Sequence, residues 1–192
     1  MILLTFFATK GYSYLYNRQK ESEMTVNDLL IRIAAGDNNA FEKLYLMTRR
    51  GVYAFLYTYL NDHHDTEDAM QTVYLKIKRS IHLYRSGSNG RAWILEIAKN
   101  HALNVIKQKG RLELVEDDDK YPHSEPDTSF IITELMEKVL TEAERRIIVL
   151  HVLWGYKHRE LANGLGVSTG TVTSKYKRAI NKLKREIKEA SK

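Results

Sequence analysis

The chain has no cysteine and only two prolines, Pro122 and Pro126, in 192 residues. Without cysteine there can be no disulfide, no thiolate zinc site and no cysteine nucleophile. This fits the cytosol, and a cytoplasmic location is expected. No apolar run reaches the roughly 20 residues of a membrane span, so no stable membrane insertion is expected. Internal repeats are absent, and alternating β-branched runs are few. Long amphipathic periods dominate, which makes the expected class all-α. Phosphate-loop, HExxH and Ser-His-Asp patterns are also missing, which argues against an enzyme. His63, His64 and Asp65, with Asp62 and Asp68 nearby, form a polar turn. Adjacent histidines there do not converge on one ion, so neither metal nor cofactor is expected.

What is present is charge, unevenly placed. The formal net charge is +6. Between Arg111 and Asp127 seven acids face two bases, a net of −5, which leaves +11 on the rest. A basic body with an acidic connector suits a nucleic-acid binder.

The segment 156–184, YKHRELANGLGVSTGTVTSKYKRAINKLK, reads as two helices around a tight turn. Leu161 and Leu165 lie four apart on the inner face of the first helix, and Ala162 lets a crossing helix approach. Gly166 suits a turn with positive φ. Val167 is expected to plug that turn, and Ser168 to cap the next helix. In that helix Val172, Tyr176, Ala179, Ile180, Leu183 and Ile187 share an apolar stripe. Thr171, Ser174, Lys177, Arg178, Asn181 and Arg185 lie opposite, with Thr173 and Lys175 on the flanks. A DNA-reading helix needs this split between a docking side and a cationic side. A basic solvated helix is the plainer reading, but it does not explain the Leu-Ala-Gly-Val-Ser-Val spacing.

Along the chain, residues 1–23 form an extension that lacks a basic region ahead of its apolar part. Either Met24 is the true start or residues 1–23 are a loosely attached extension, with a helical membrane-surface anchor as the functional alternative. Asn27 is expected to cap a first helix through Leu29, Leu30 and Ile33, ending at Gly36. Asp37 caps a second, with Phe41, Leu44, Thr48, Val52, Phe55 and Leu56 at helical spacing. A third starts at Asp65 or Thr66. A fourth spans 91–109 with Trp93, Ile94, Ile97, Ala98, Ala102, Val105 and Ile106 inward. A loop, 86–90, precedes it. After a short helix over 130–139, Thr141 and Glu144 form a capping box for a helix that stops at Gly155. The expectation is two small helical domains joined by an acidic flexible linker. The first covers 24–110, the linker 111–128 and the helix-turn-helix domain 129–192.

The first domain has its own nucleic-acid signal. Tyr84, Arg85, Ser86 and Asn89 precede a helix carrying Arg91, Lys99, Asn100, Lys107 and Lys109. Aromatics beside cations and a loop can hold unstacked bases. Trp93 alone is more often core, so the contact expectation rests on the loop and the cationic face. In the third helix Leu75 falls away from the apolar stripe, beside Asp68, Gln71 and Thr72, and is a candidate docking spot.

The segments DTEDAMQTVYLKIKRS, NGRAWILEIAKNHALNVIKQKGR and LTEAERRIIVLHVLWGYKHRELANGLGVSTGTVTSKYKRAINKLK, in that order, resemble a bacterial RNA polymerase sigma factor of the extracytoplasmic-function (ECF) group. The resemblance runs from about Val26 to Ile187. It implies a factor that binds core RNA polymerase and promoter DNA, with an anti-sigma factor as a further partner. By the same resemblance Asp68, Gln71, Leu75 and Lys76 dock on polymerase. Tyr84, Arg85, Ser86, Asn89, Arg91, Lys99 and Asn100 fall where the minus-ten element is opened and read. Arg159, Ser168, Thr171, Thr173, Ser174, Lys175, Lys177 and Arg178 fall where the minus-thirty-five element is read. Thr72 departs from the usual acid, Lys78 from a common aromatic, and Gly164 sits inside the first helix of the motif at about 1 kcal/mol against Ala. The reading loop is the poorest match, so no promoter sequence carries over. The alternative is a stand-alone helix-turn-helix regulator binding an operator.

Overall fold

A computed structural model describes residues 24–112 and 128–190, and within these the side chains of 110–112 and 128–132 are not described. The extension 1–23 and most of the acidic linker therefore lie outside the described residues. The described elements are helical, with no strand among them. They fold as two compact units, Thr25–Glu134 and the residues from Leu135 on.

In the first unit α1 (Val26–Ala34) starts at Thr25, not Asn27. Thr25 accepts from the Asp28 amide, and the Asp28 carboxylate accepts from the Thr25 amide at 2.8 Å. That reciprocal pair satisfies two of the orphan donors at the helix start. Val26, Leu29, Leu30 and Ile33 form the buried stripe. Gly36 at φ +91 turns the chain, and Asp37 caps α2 (Asn38–Leu60) by accepting from Ala40 N at 3.1 Å.

Helix α2 is the centre of this unit. It packs on α1, on α3 (His63–Ser80) and on α4 (Gly90–Leu112). This explains why every residue from Val52 to Thr58 is buried rather than one face. Two buried hydroxyls are satisfied locally: Thr48 donates to the Leu44 carbonyl at 2.6 Å and lies 2.8 Å from the Tyr74 hydroxyl. Asn61, in the left-handed region at φ 50, ends α2.

Three sequence expectations change here. Asp62, not Asp65 or Thr66, caps α3, accepting from Asp65 N at 2.8 Å. Asp65 is instead paired with Lys109 at the far end of α4. In α4 Leu95 is buried, whereas Ile106 is 43% exposed. Each step of four residues overshoots a full turn by about 40°. A row central at Ile94 and still buried at Ala102 has therefore rotated outward by Ile106.

The second unit begins within α5 (Thr128–Val139), which ends just before Leu140. Helix α6 (Glu142–Ile148) opens on the expected Thr141–Glu144 capping box. It does not run on to Gly155 as an α-helix. A π-helical turn over Val149–Leu153 follows, then a reversal with Gly155 at φ +72. Helix α7 (His158–Leu165) and helix α8 (Thr169–Ala190) complete the unit. Ile147, Leu161, Ala162 and Val172 form its core, with Leu150, Tyr156 and Tyr176 packed on it. Val172, Ala179, Leu183 and Ile187 bury one side of α8.

The tie between α6 and α8 is ionic. Glu144 is 2% exposed and accepts from Thr141 N, Thr141 Oγ1 and Lys182 Nζ at 3.0, 3.1 and 2.8 Å. Burial pushes the Glu144 carboxyl up, but the Lys182 ammonium and the two Thr141 donors outweigh it and hold it below the ordinary value.

Candidate nucleic-acid interface

The second unit presents a helix-turn-helix closed by its backbone. Gly166 takes φ +65, the conformation a β-carbon resists. The Gly166 and Val167 amides both donate to the Ala162 carbonyl. The turn therefore needs no side-chain plug, and Val167 and Leu165 are 42% and 43% exposed, contrary to the sequence expectation. Ser168 caps α8, accepting from Thr171 N at 3.0 Å, and its hydroxyl lies 2.9 Å from that of Thr171. Ser174, Lys177 and Arg178 are exposed on α8, as is Arg159 on α7. Thr171 and Lys175 are half-buried beside them. Ser174, Lys177 and Arg178 form a polar, cationic side of α8 opposite the buried stripe, with Lys175 on its flank. Thr173 is half-buried; its hydroxyl donates to the Thr169 carbonyl at 2.9 Å and lies 3.1 Å from His158 Nδ1.

A cluster of rings lies beside that motif, and of its members only Tyr176 stands in the apolar stripe of the sequence. His151, His158 and Tyr176 lie with centroids 4.5 to 5.0 Å apart. His151 Nδ1 donates to the Tyr156 carbonyl at 2.7 Å, which fixes the reversal before α7. The Thr173 hydroxyl proton is committed to Thr169, so His158 Nδ1 is the donor in its contact. His158 Nε2 is then a buried lone pair without a partner among the described residues. Burial, then the neighbouring His151, lowers the pKa of His158.

In the first unit the loop before α4 is held from inside. Tyr84 is 9% exposed, so it does not offer its ring to a strand. Instead its ring stands 5.4 Å from that of Trp93, and its hydroxyl donates to the Ser88 carbonyl at 3.1 Å. Ser88 N donates to Arg85 O at 3.1 Å, with Gly87 between them at φ +84, as a turn with positive φ at its third position requires. Asn89 is exposed, and its side-chain oxygen accepts from Ala92 N at 3.1 Å and caps α4. Asn27, expected as a cap of α1, accepts from Gly90 N at 2.8 Å.

Outward are Arg85, Ser86, Asn89, Lys99 and Asn100, with Arg91 half-buried. The Asn100 amide donates to Glu96 at 3.3 Å. On α3 Leu75 is 55% exposed, and Asp68 and Gln71 are exposed on the same side. Lys76 is drawn away from that side, its ammonium 3.0 Å from His101 Nδ1. Burial and that ammonium lower the pKa of His101. Among the described residues no His, Asp and Glu group could hold a metal, and no helix is long and apolar enough to cross a membrane.

Comparison with known proteins agrees with this division. Residues 44–112 match the family model Sigma-70 region 2, and residues 138–185 match Sigma-70, region 4. The ECF RNA polymerase sigma factor SigX of Bacillus subtilis is 26% identical over 161 residues, 77% of this chain and 83% of that protein. The ECF RNA polymerase sigma-E factor of Haemophilus influenzae is 27% identical over 183 residues, 86% of this chain and 96% of that protein. Among solved structures, CnrH in complex with the cytosolic domain of CnrY has a TM-score of 0.53 at 21% identity, covering 85% of this chain and 97% of that one. The sigma factor RpoE of Bartonella quintana, in complex with the anti-sigma factor NepR, has a TM-score of 0.53 at 22% identity, covering 77% and 96%. Two matched regions in the right order, each on its own folded unit, place this chain in the ECF group of RNA polymerase sigma factors.

Proposed function

We infer that the protein binds core RNA polymerase and directs promoter-specific initiation, contributing no catalysis of its own and acting in the cytoplasm where polymerase is. The domain over 24–110 docks on polymerase through Asp68, Gln71 and Leu75, and opens the minus-ten element with Arg85, Ser86, Arg91, Lys99 and Asn100. The domain over 129–192 reads the minus-thirty-five element with Ser174, Lys177 and Arg178, while Arg159 and Lys175 meet phosphates. The linker over 111–128 joins them. The observation that carries this reading is the pairing, in one chain, of a preorganised loop beside a cationic helix with a separate helix-turn-helix unit. Phosphate contacts place such a protein and base contacts select the site. CnrH and RpoE are each held by a second protein in their solved structures. By analogy this chain is restrained by an anti-sigma factor.

Electrophoretic mobility shifts separate this function from that of a stand-alone operator binder. The free protein is expected to give no sequence-specific shift on promoter duplexes, and to give one once core polymerase is added. A specific, salt-sensitive shift by the free protein, unchanged by polymerase, would support the operator binder instead.

A further inference from the structure

We propose that Asn27, on α1 and outside the family-matched segment 44–112, is a positioning residue for the promoter-opening loop. The proposal rests on the loop 85–90 being the strand-opening element.

The loop enters α4 at Gly90, and that entry point is enclosed by the far end of the domain. Asn27 Oδ1 accepts from Gly90 N at 2.8 Å, across 63 residues of sequence. A β-carbon at Gly90 would stand 2.6 Å from Asn27 Oδ1, 2.7 Å from Leu30 Cδ1 and 3.3 Å from the Tyr84 hydroxyl. Leu30 is fully buried, so it cannot yield without disturbing the α1 stripe. The glycine is therefore required by contact, since no left-handed backbone is involved there. The same Tyr84 hydroxyl holds the Ser88 carbonyl, so one enclosure fixes both the exit of the loop and its middle.

Asn27 itself is not needed to build α1, whose start is satisfied by Thr25 and Asp28. Nor does α4 lack a side-chain cap, since Asn89 supplies one to Ala92 N. The Asn27 bond goes to the next orphan donor, that of the first helical residue, and ties α1 directly to the start of α4. Its effect is to fix where Arg85 and Ser86 stand relative to the cationic face of α4. Orientation of this kind acts on the reacting geometry without contact to the strand.

The test uses the full chain assembled with core polymerase. The probe is a promoter duplex on which the wild-type holoenzyme initiates, with 2-aminopurine in the non-template strand of its minus-ten element. Asn27→Ala is expected to lower the opened fraction about 2- to 12-fold, the range one neutral hydrogen bond spans. Its polymerase affinity should remain that of wild type, and its unfolding temperature should fall by no more than about 2–12 °C, what one lost hydrogen bond accounts for in a domain of this size. Asn27→Asp, which keeps the acceptor, should restore opening to within about twofold. Gly90→Ala should lower opening in the same way. If Asn27→Ala opens like wild type while Arg85→Ala/Ser86→Ala does not, the positioning role is wrong and the loop assignment stands. If neither variant loses opening, the loop assignment itself fails. Loss of opening in step with loss of polymerase affinity, with an unfolding temperature lowered by more than about 12 °C, in Asn27→Ala would make the bond a general fold support and overturn the proposal.

Discussion

Removing the ion pair between Glu144 and Lys182 should loosen the recognition helix from α6. The Glu144 carboxylate is 2% exposed and Lys182 reaches it at 2.8 Å, with the lysine side chain 30% exposed. A hydrogen bond to a charged group contributes about 1.5–3 kcal/mol when partly buried, above the value of an exposed pair. Lys182→Met keeps most of the aliphatic stem and removes the charge, so the loss isolates the ionic contribution. Glu144→Gln keeps a carbonyl for the Thr141 donors and removes the charge from the other side. For a domain of this size, 1.5–3 kcal/mol corresponds to about 6–24 °C in the midpoint. The assay is thermal unfolding followed by tryptophan fluorescence in a Trp93→Phe background, where buried Trp154 reports the second domain alone. A double-mutant cycle should return a coupling of about 1.5 kcal/mol or more. A coupling below about 0.5 kcal/mol would refute the assignment and reduce the pair to a surface contact.

Three further outcomes are expected. His158 has a pKa lowered by burial and by His151, with Tyr176 and Thr173 facing it from α8. The folded state therefore binds fewer protons, so the stability this group contributes is complete above the ordinary histidine value of about 6.5 and is lost as pH falls through it. Urea midpoints of the second domain should fall across that window, and His158→Gln should flatten the slope; an unchanged slope would show that another group titrates. Asp68→Lys with Leu75→Ala should weaken polymerase binding about tenfold or more, measured by fluorescence anisotropy, while the unfolding curve stays put because both side chains are exposed. Lys175→Ala should reduce the salt slope of holoenzyme binding to minus-thirty-five DNA by about 1, as the loss of one phosphate contact does, whereas an unaltered slope would remove Lys175 from the phosphate contacts.

Periodic features of the fold were legible in the sequence. The apolar rows of α1, α2, α3 and α8, the Thr141–Glu144 box, the Gly166 turn and the Ser168 cap all follow from spacing that a helix imposes. What was not legible depends on distant partners. Asn27 looks like a cap because Asn is a good cap, yet Thr25 already fills that role and Asn27 serves a helix 63 residues on. Tyr84 looks like a base platform, but the contact with Trp93 buries it. Thr173 and Asn89 carry polar groups that could meet DNA, and backbone partners occupy their side-chain oxygens. Leu165 and Val167 were read as core because they are apolar, although two amides on one carbonyl close the turn without them. The π-helical turn at Val149 has no counterpart in a 3.6-residue pattern.

The most direct test of the central claim is run-off transcription by core polymerase over a library of genomic promoters, with start sites mapped with and without this protein. The expected result is a discrete set of new starts that appears only when the protein is added. Those starts should share two elements at a constant spacing and should vanish with Asp68→Lys/Leu75→Ala. If the added protein produces no specific start, or if starts appear without polymerase docking through that face, the account is contradicted.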